Sequence, residues 1–130
     1  MNEIHVSAVV MRDADGRVLN VRKHGTATFM LPGGKPEAGE SAAQTAVREF
    51  TEELGVLLDE DRLDYLGEFR AAAANEAGFD VVANVFEHPF VEGVTTNAEI
   101  EQLEWVDPRT ARDDLAPLNT ECVFPALLAR

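Results

Sequence analysis

An α/β fold is what the sequence predicts, on three observations. Several stretches alternate apolar and polar residues as half-buried strands do, one amphipathic helix is sharply delimited near residues 41–54, and the 130 residues run without repeat, linker or compositional break. A chain of this length can bury one real core, so residues 1–130 are read as a single domain.

The elements follow in order. Ile4, Val6, Ala8 and Val10 share one face of a first strand. Asp13-Ala14-Asp15-Gly16 is a turn signal, and Arg17 to Arg22 resumes as a second strand, so 3–22 is expected to be a hairpin. Gly25 to Gly39 is loop-rich, interrupted by the short apolar piece Phe29-Met30-Leu31. Ser41 is a good N-cap and Gly55 a good C-terminal stop, which bound the helix. Leu63–Ala74 and Phe79–Phe86 read as strands around the turn Asn75-Glu76-Ala77-Gly78. The second has apolar residues on both faces and is expected to be central. Leu103, Trp105 and Val106 mark a further strand, and Asn119–Ala129 a terminal helix whose register is disturbed by Pro125.

Composition excludes several classes. Hydrophobic content of 45% and charged content of 27% are those of a globular chain. No apolar run approaches the roughly 20 residues needed to cross a bilayer. The start, Met1-Asn2-Glu3-Ile4-His5, has no secretory signal pattern, so a cytoplasmic location is expected. Cys122 is the only cysteine, which excludes an internal disulfide and a zinc knuckle. It is read as a small buried apolar group. Eleven basic against 24 acidic side chains leave a net charge of −13, a field that repels a nucleic-acid polymer. Divalent cations held by acidic side chains can reverse that sign locally where a small phosphorylated ligand docks.

Helix 41–54 carries the chemistry. At ~100° per residue, Ala43, Ala46, Val47, Phe50 and Leu54 form a core-facing stripe. Glu49, Glu52 and Glu53 cluster elsewhere, at i, i+3 and i+4. A solvated acidic face is the ordinary meaning of three glutamates. Two features argue for more. Glu52 and Glu53 lie toward the C-terminal end, where the helix dipole disfavours negative charge. The preceding segment, Leu31 to Glu40, is a Gly/Pro loop able to bring main-chain groups close to a ligand. Hard cations with oxygen ligands would remove the repulsion.

Residues Gly34 to Val56 read G-x5-E-x7-R-E-U-x-E-E-x-G-U, with U a bulky apolar residue. Gly34, Glu40, Arg48, Glu49, Phe50, Glu52, Glu53, Gly55 and Val56 are all in place. This segment resembles the signature of the Nudix (MutT-like) hydrolases. Seven fixed letters, each near one in fifteen by composition, coincide by chance on the order of once in 10⁸ windows. The resemblance implies an α/β/α sandwich, a mixed β-sheet flanked by helices. It also implies Mg²⁺-dependent hydrolysis of a phosphoanhydride in a nucleoside diphosphate derivative, with Mn²⁺ as a substitute ion. Glu52 and Glu53 would be metal ligands, and Glu49 a third ligand or the base that orients water. Gly33 would offer its carbonyl to a metal. Arg48 and Glu40 would hold the carboxylates in position, although a surface i,i+4 partner is the simpler reading of Arg48.

Beyond the motif, Glu99 resembles the downstream glutamate that completes the metal site in MutT-like pyrophosphohydrolases, against a plain reading as an exposed strand-end acid. Glu76 is a second candidate. Arg22 and Lys23 end a strand near the loop and, with Gly34, are candidates to meet phosphates; a solvated strand end is the alternative. Asn119 sits where MutT-like enzymes for oxidised guanine nucleotides place a base-reading asparagine. It equally reads as the N-cap of the last helix. His5, His24 and His88 lack ligand-like spacing and are read as structural or surface residues.

Gly34-Lys35 is not a P-loop, since Phe29 stands at the first glycine position and Pro36 at the Ser/Thr position. Asp13–Gly16 is not a calcium loop, because Met11 and Arg22 occupy its first and twelfth positions. ADP-ribose and diadenosine-polyphosphate Nudix enzymes tend to carry Pro or Tyr about 16 residues after the motif; here that stretch is Ala71-Ala72-Ala73-Ala74. The expected activity is therefore a (deoxy)nucleoside triphosphate pyrophosphohydrolase. ADP-ribose or nucleotide-sugar hydrolysis, and a non-catalytic nucleotide-sensing domain, stand as alternatives. The partner implied is a small nucleotide, with no nucleic-acid polymer and no membrane. Many relatives form homodimers, but no stretch here marks an interface.

Overall fold

The computed structural model describes residues 2–130. Six strands are formed: β1 (Asn2–Val10), β2 (Val18–Lys23), β3 (Gly33–Gly34), β4 (Asp64–Ala72), β5 (Phe79–Glu87) and β6 (Ile100–Val106). The helices are α1 (Ala42–Leu54) and α2 (Phe124–Leu128), with a 3₁₀ turn at Glu60–Arg62 and a π-helical turn at Leu118–Val123. The strands make a mixed sheet in the order β3-β1-β5-β4, and β2 pairs with β6 in a second, two-stranded sheet. β1 and β5 run parallel from Asn2↔Phe79 to Val10↔Glu87, whereas β3 and β4 are antiparallel to their neighbours.

Strand alternation divides the core in two. Ala8, Val10, Ala83 and Val85 face one way and pack with Leu118, Val123, Phe124 and Leu127 of the terminal helical segment. Val9 and Phe86 face the other way and pack with Ala46, Phe50 and Leu54 of α1. This is the expected α/β/α layering, and β5 is a central strand, between β1 and β4.

The hairpin expected over 3–22 is corrected. Its turn forms, with the Asp13 carboxylate accepting from the Asp15 and Arg17 amides at 3.0 and 2.9 Å. The ladder ends a few residues on, at the Leu19 N–H to Met11 carbonyl bond of 2.9 Å. β1 already has β5 along one edge and β3 on the other, so β2 has no edge to join and leaves for β6.

The terminal helix is also corrected. Pro125 has no N–H for the carbonyl four residues back, and the preceding turn widens so that the Phe124 amide reaches the Asn119 carbonyl. Helical structure starts after Pro117, which makes no side-chain cap, and Asn119 lies inside the turn. Asn119 is not an N-cap.

Candidate active site

The glutamate helix is fixed at both ends by local chemistry. Ser41 Oγ accepts from the Gln44 amide at 3.1 Å and the Gln44 side chain accepts from the Ser41 amide at 2.9 Å, a closed capping box. At the other end Gly55 takes φ +73°, a left-handed conformation that favours glycine, and its N–H donates to the Thr51 carbonyl. Ala46, Phe50 and Leu54 are fully buried, which locks the rotation of the helix and aims its glutamates.

They are aimed at the glycine bend. β3 lies against Ser7 and Ala8 of β1, and the Gly33 N–H donates to Glu53 Oε1 at 3.0 Å. A Cβ on Gly33 would fall 2.1 Å from the Ser7 carbonyl oxygen. One on Gly34 would fall 2.3 Å from a Glu49 carboxylate oxygen. Two glycines are therefore required for different reasons: the first lets the bend lie on β1, the second lets Glu49 lie on the bend. Gly33, Gly34, Glu49 and Glu53 come together at one place.

Arg48 ties the loop to the helix. Its guanidinium donates to both Glu40 carboxylate oxygens (2.7 and 3.0 Å) and to the Lys35 carbonyl (3.0 Å), with longer contacts of 3.4 Å to Glu49 and Glu52. The bidentate pair holds the Glu40 carboxyl at about 2, through the Arg48 hydrogen bonds first and the Glu37 amide second. The surface i,i+4 reading of Arg48 is too small: its main partner is eight residues away.

Glu53 is only 2% exposed, and burial pushes its carboxyl up to about 8, against the lowering effect of the Gly33 N–H. Glu49 is also raised, by burial first, while Arg48 acts in the other direction. Glu52 points outward, its side chain 54% exposed. The three glutamates are thus unequal: two lie against the bend and one at its rim.

Lys23 Nζ lies 3.2 Å from Glu99 Oε1, and its charge also acts on Glu49 and Glu53. Glu99 adds repulsion at Glu53. Arg22 is committed to protein: it donates to the Thr26 carbonyl (2.8 Å), Glu101 (3.0 Å) and Gln102 (3.2 Å), and lies over the Phe29 ring. Asn119 has no exposed surface, and its amide donates to Asn20 Oδ1 at 2.7 Å. It meets a ligand only if the terminal helix opens. Glu76 sits beyond the Phe79 end of β5, about 20 Å along the strand from Val85, which aligns with Gly33 through Ala8. It does not join the cluster.

His88 is buried between the Asp59 amide and the Pro89 carbonyl, whereas His5 and His24 are exposed, matching their structural and surface readings. Cys122 is half-buried rather than buried, with its thiol near the Arg70 carbonyl at 3.4 Å. Two residues escaped the sequence reading. Asn20 is a fully buried polar residue among apolar neighbours of β2, a visible signal. Asn97 touches Gly55 at the end of α1, and no local pattern announces it.

Among the described residues no three acidic, histidine or cysteine side chains converge into a ready cation cage. Their charges are instead engaged elsewhere, Glu49 and Glu52 with Arg48, and Glu99 with Lys23. The donor set nevertheless fits a hard divalent cation. Glu53 is a desolvated carboxylate with one hydrogen bond among the described residues, from Gly33, and lies beside a second carboxylate. Such a pair keeps both charges comfortably only with a counter-cation.

The NUDIX domain family matches residues 1–126. A MutT-like protein of Streptomyces ambofaciens is 30% identical over 128 residues, covering 98% of this chain and 78% of that protein. An octanoyltransferase of Myxococcus xanthus is 34% identical over 123 residues, covering 88% of this chain but only 33% of that protein, whose name describes the longer whole. Among solved structures, the MutT protein of Methanosarcina mazei superposes with a TM-score of 0.79 at 23% identity, covering 98% of this chain and 94% of that one. The chain belongs to the Nudix family, and it is a hydrolase acting on pyrophosphate bonds.

Proposed function

We propose that residues 1–130 form a single hydrolase domain that converts a (deoxy)nucleoside triphosphate into the monophosphate and pyrophosphate, with Mg²⁺, or Mn²⁺ in its place. The observation that carries this reading is the seating of Glu49 and Glu53 on the Gly33–Gly34 bend, which gathers oxygen donors where a diphosphate can approach. Glu53, Glu49 and the Gly33 carbonyl would hold the cation, with Glu52 at the rim and Glu99 beside Lys23 completing the set. When bound, the cation neutralises phosphate oxygens and lowers the pKa of the attacking water.

The protein's own part is positioning. Arg48 keeps the loop and helix in register through Glu40 and Lys35, so the carboxylates do not have to be organised by the substrate. Lys23, whose charge acts on Glu49 and Glu53, would meet a phosphate oxygen by giving up Glu99. Gly34, having no Cβ, lets the Glu49 carboxylate lie directly on the bend. The stretch Ala71–Ala74, without Pro or Tyr, supports a triphosphate over ADP-ribose or a diadenosine polyphosphate. Keeping all three glutamates supports catalysis over sensing. A homodimer and a cytoplasmic location belong to the same proposal; no described helix is long and apolar enough to cross a membrane.

A substrate panel with Mg²⁺, separating phosphate from pyrophosphate among the products, tests it. Pyrophosphate released from a nucleoside triphosphate is the expected result. Turnover confined to ADP-ribose or nucleotide sugars replaces the substrate while keeping the site.

A further inference from the structure

The C-terminal end of α1 needs an explanation that the motif does not supply. The negative pole of a helix is normally relieved by a basic side chain, and the last turn of α1 contains none. It contains Glu52 and Glu53 instead. Relief comes from the segment before β6. The Thr95 amide donates to the Leu54 carbonyl and the Asn97 amide to the Glu53 carbonyl, each at 3.0 Å. The Asn97 carboxamide, oriented to satisfy both its groups, accepts from the Gly55 N–H at 3.2 Å and donates to the Thr96 carbonyl at 3.1 Å. Three donor–acceptor contacts therefore fasten this segment to the last residues of the glutamate helix.

The fit is close. A Cβ on Gly55 would come within 2.6 Å of the Asn97 side-chain carboxamide and 3.3 Å of Thr95 Oγ1. The motif glycine is thus demanded twice, by its left-handed φ and by Asn97. The segment then turns sharply, with the Ile100 amide donating to the Asn97 carbonyl at 3.0 Å and Ala98 held at φ +52°. Ala98 is the only non-glycine at positive φ among the described residues, a conformation that is strained for an L-residue. The turn delivers Glu99 beside Lys23, and the Glu99 carbonyl receives the His24 amide at 2.9 Å.

We propose that Asn97 is a positioning residue of the hydrolytic site, clamping the Gly55 end of α1 so that Glu53 and Glu99 are presented to one divalent cation at a fixed separation. The inference rests on the metal site proposed above. Glu53 lies two residues before Gly55 and Glu99 two residues after Asn97, so slack at this contact changes their separation directly.

Mn²⁺ titration of the nucleotide-free protein, followed by loss of the free-ion paramagnetic signal, tests the clamp in wild type, Asn97→Ala and Asn97→Ser, each held well below its unfolding temperature. Asn97→Ala is expected to bind Mn²⁺ about tenfold more weakly, the scale of losing a group that orients a ligand. A residue serving stability alone would lower the unfolding temperature and leave Mn²⁺ affinity of the folded protein at the wild-type value; that result overturns the proposal. Where Asn97→Ala does not fold, Asn97→Ser decides by the same criterion, because it keeps the main-chain bonds of the segment and a polar side chain but is too short to hold Gly55. Absence of Mn²⁺ uptake by the wild type overturns the metal site itself, and the clamp with it, and is distinguishable from unchanged affinity in the variants.

Discussion

The Gly33 amide donates to Glu53 Oε1 at 3.0 Å across twenty residues of sequence. This bond joins the glycine bend to the helix and sets a buried carboxylate where a phosphate-bound cation would sit.

Glu53→Gln keeps the shape and can still accept from Gly33, but it removes the charge. Turnover is expected to fall by about two to three orders of magnitude while the fold survives, as when a ligand to a catalytic metal is lost. Without metal, the variant should melt no lower than wild type, since a desolvated carboxylate has been replaced by a neutral amide. Adding Mg²⁺ should stabilise the wild type only. Near-normal rates in the variant would remove Glu53 from the site.

Gly34→Ala and Gly33→Ala should separate activity from stability. The new methyl of Gly34→Ala meets the mobile end of Glu49, so the unfolding temperature should barely change, while displacement of that carboxylate by about 1 Å costs up to ~10²-fold in rate. In Gly33→Ala the methyl meets the main chain of β1, and lost stability should dominate. Equal stability losses in the two variants would contradict this assignment of the glycines.

The Glu40–Arg48 pair predicts an acid limb in stability. The folded carboxyl, at about 2, lies below its ordinary value of 4.5, so its contribution is fully present above about pH 4.5 and is lost as pH falls through about 2. Arg48→Lys removes the bidentate geometry and should flatten that limb. Unfolding temperatures of both proteins between pH 2 and 6 provide the check. Parallel curves would mean the pair contributes nothing.

Asn119→Ala leaves the buried Asn20 Oδ1 without its donor and should cost about 1–3 kcal/mol in urea unfolding. Replacing both Asn20 and Asn119 by leucine should be far less costly than the single change, since neither partner is left unpaired. Base preference should not respond to Asn119→Ala; a change would show that the terminal helix opens to let this residue read the nucleobase.

The sequence by itself determined the glutamate helix, its two ends and the Gly/Pro loop, because capping, left-handed glycine and helical spacing are local chemistry. The α/β class was legible as well, whereas the α/β/α layering was an expectation carried by the motif's family resemblance. The tertiary structure alone decided where β2 goes, because an edge of β1 is free or occupied only once β3 and β5 are placed. It also separated Glu52 from its neighbours on the same helix, buried Asn119 against Asn20, and brought Asn97 onto Gly55. Those outcomes depend on contacts between residues far apart in the chain, and no local pattern encodes which distant surface will arrive.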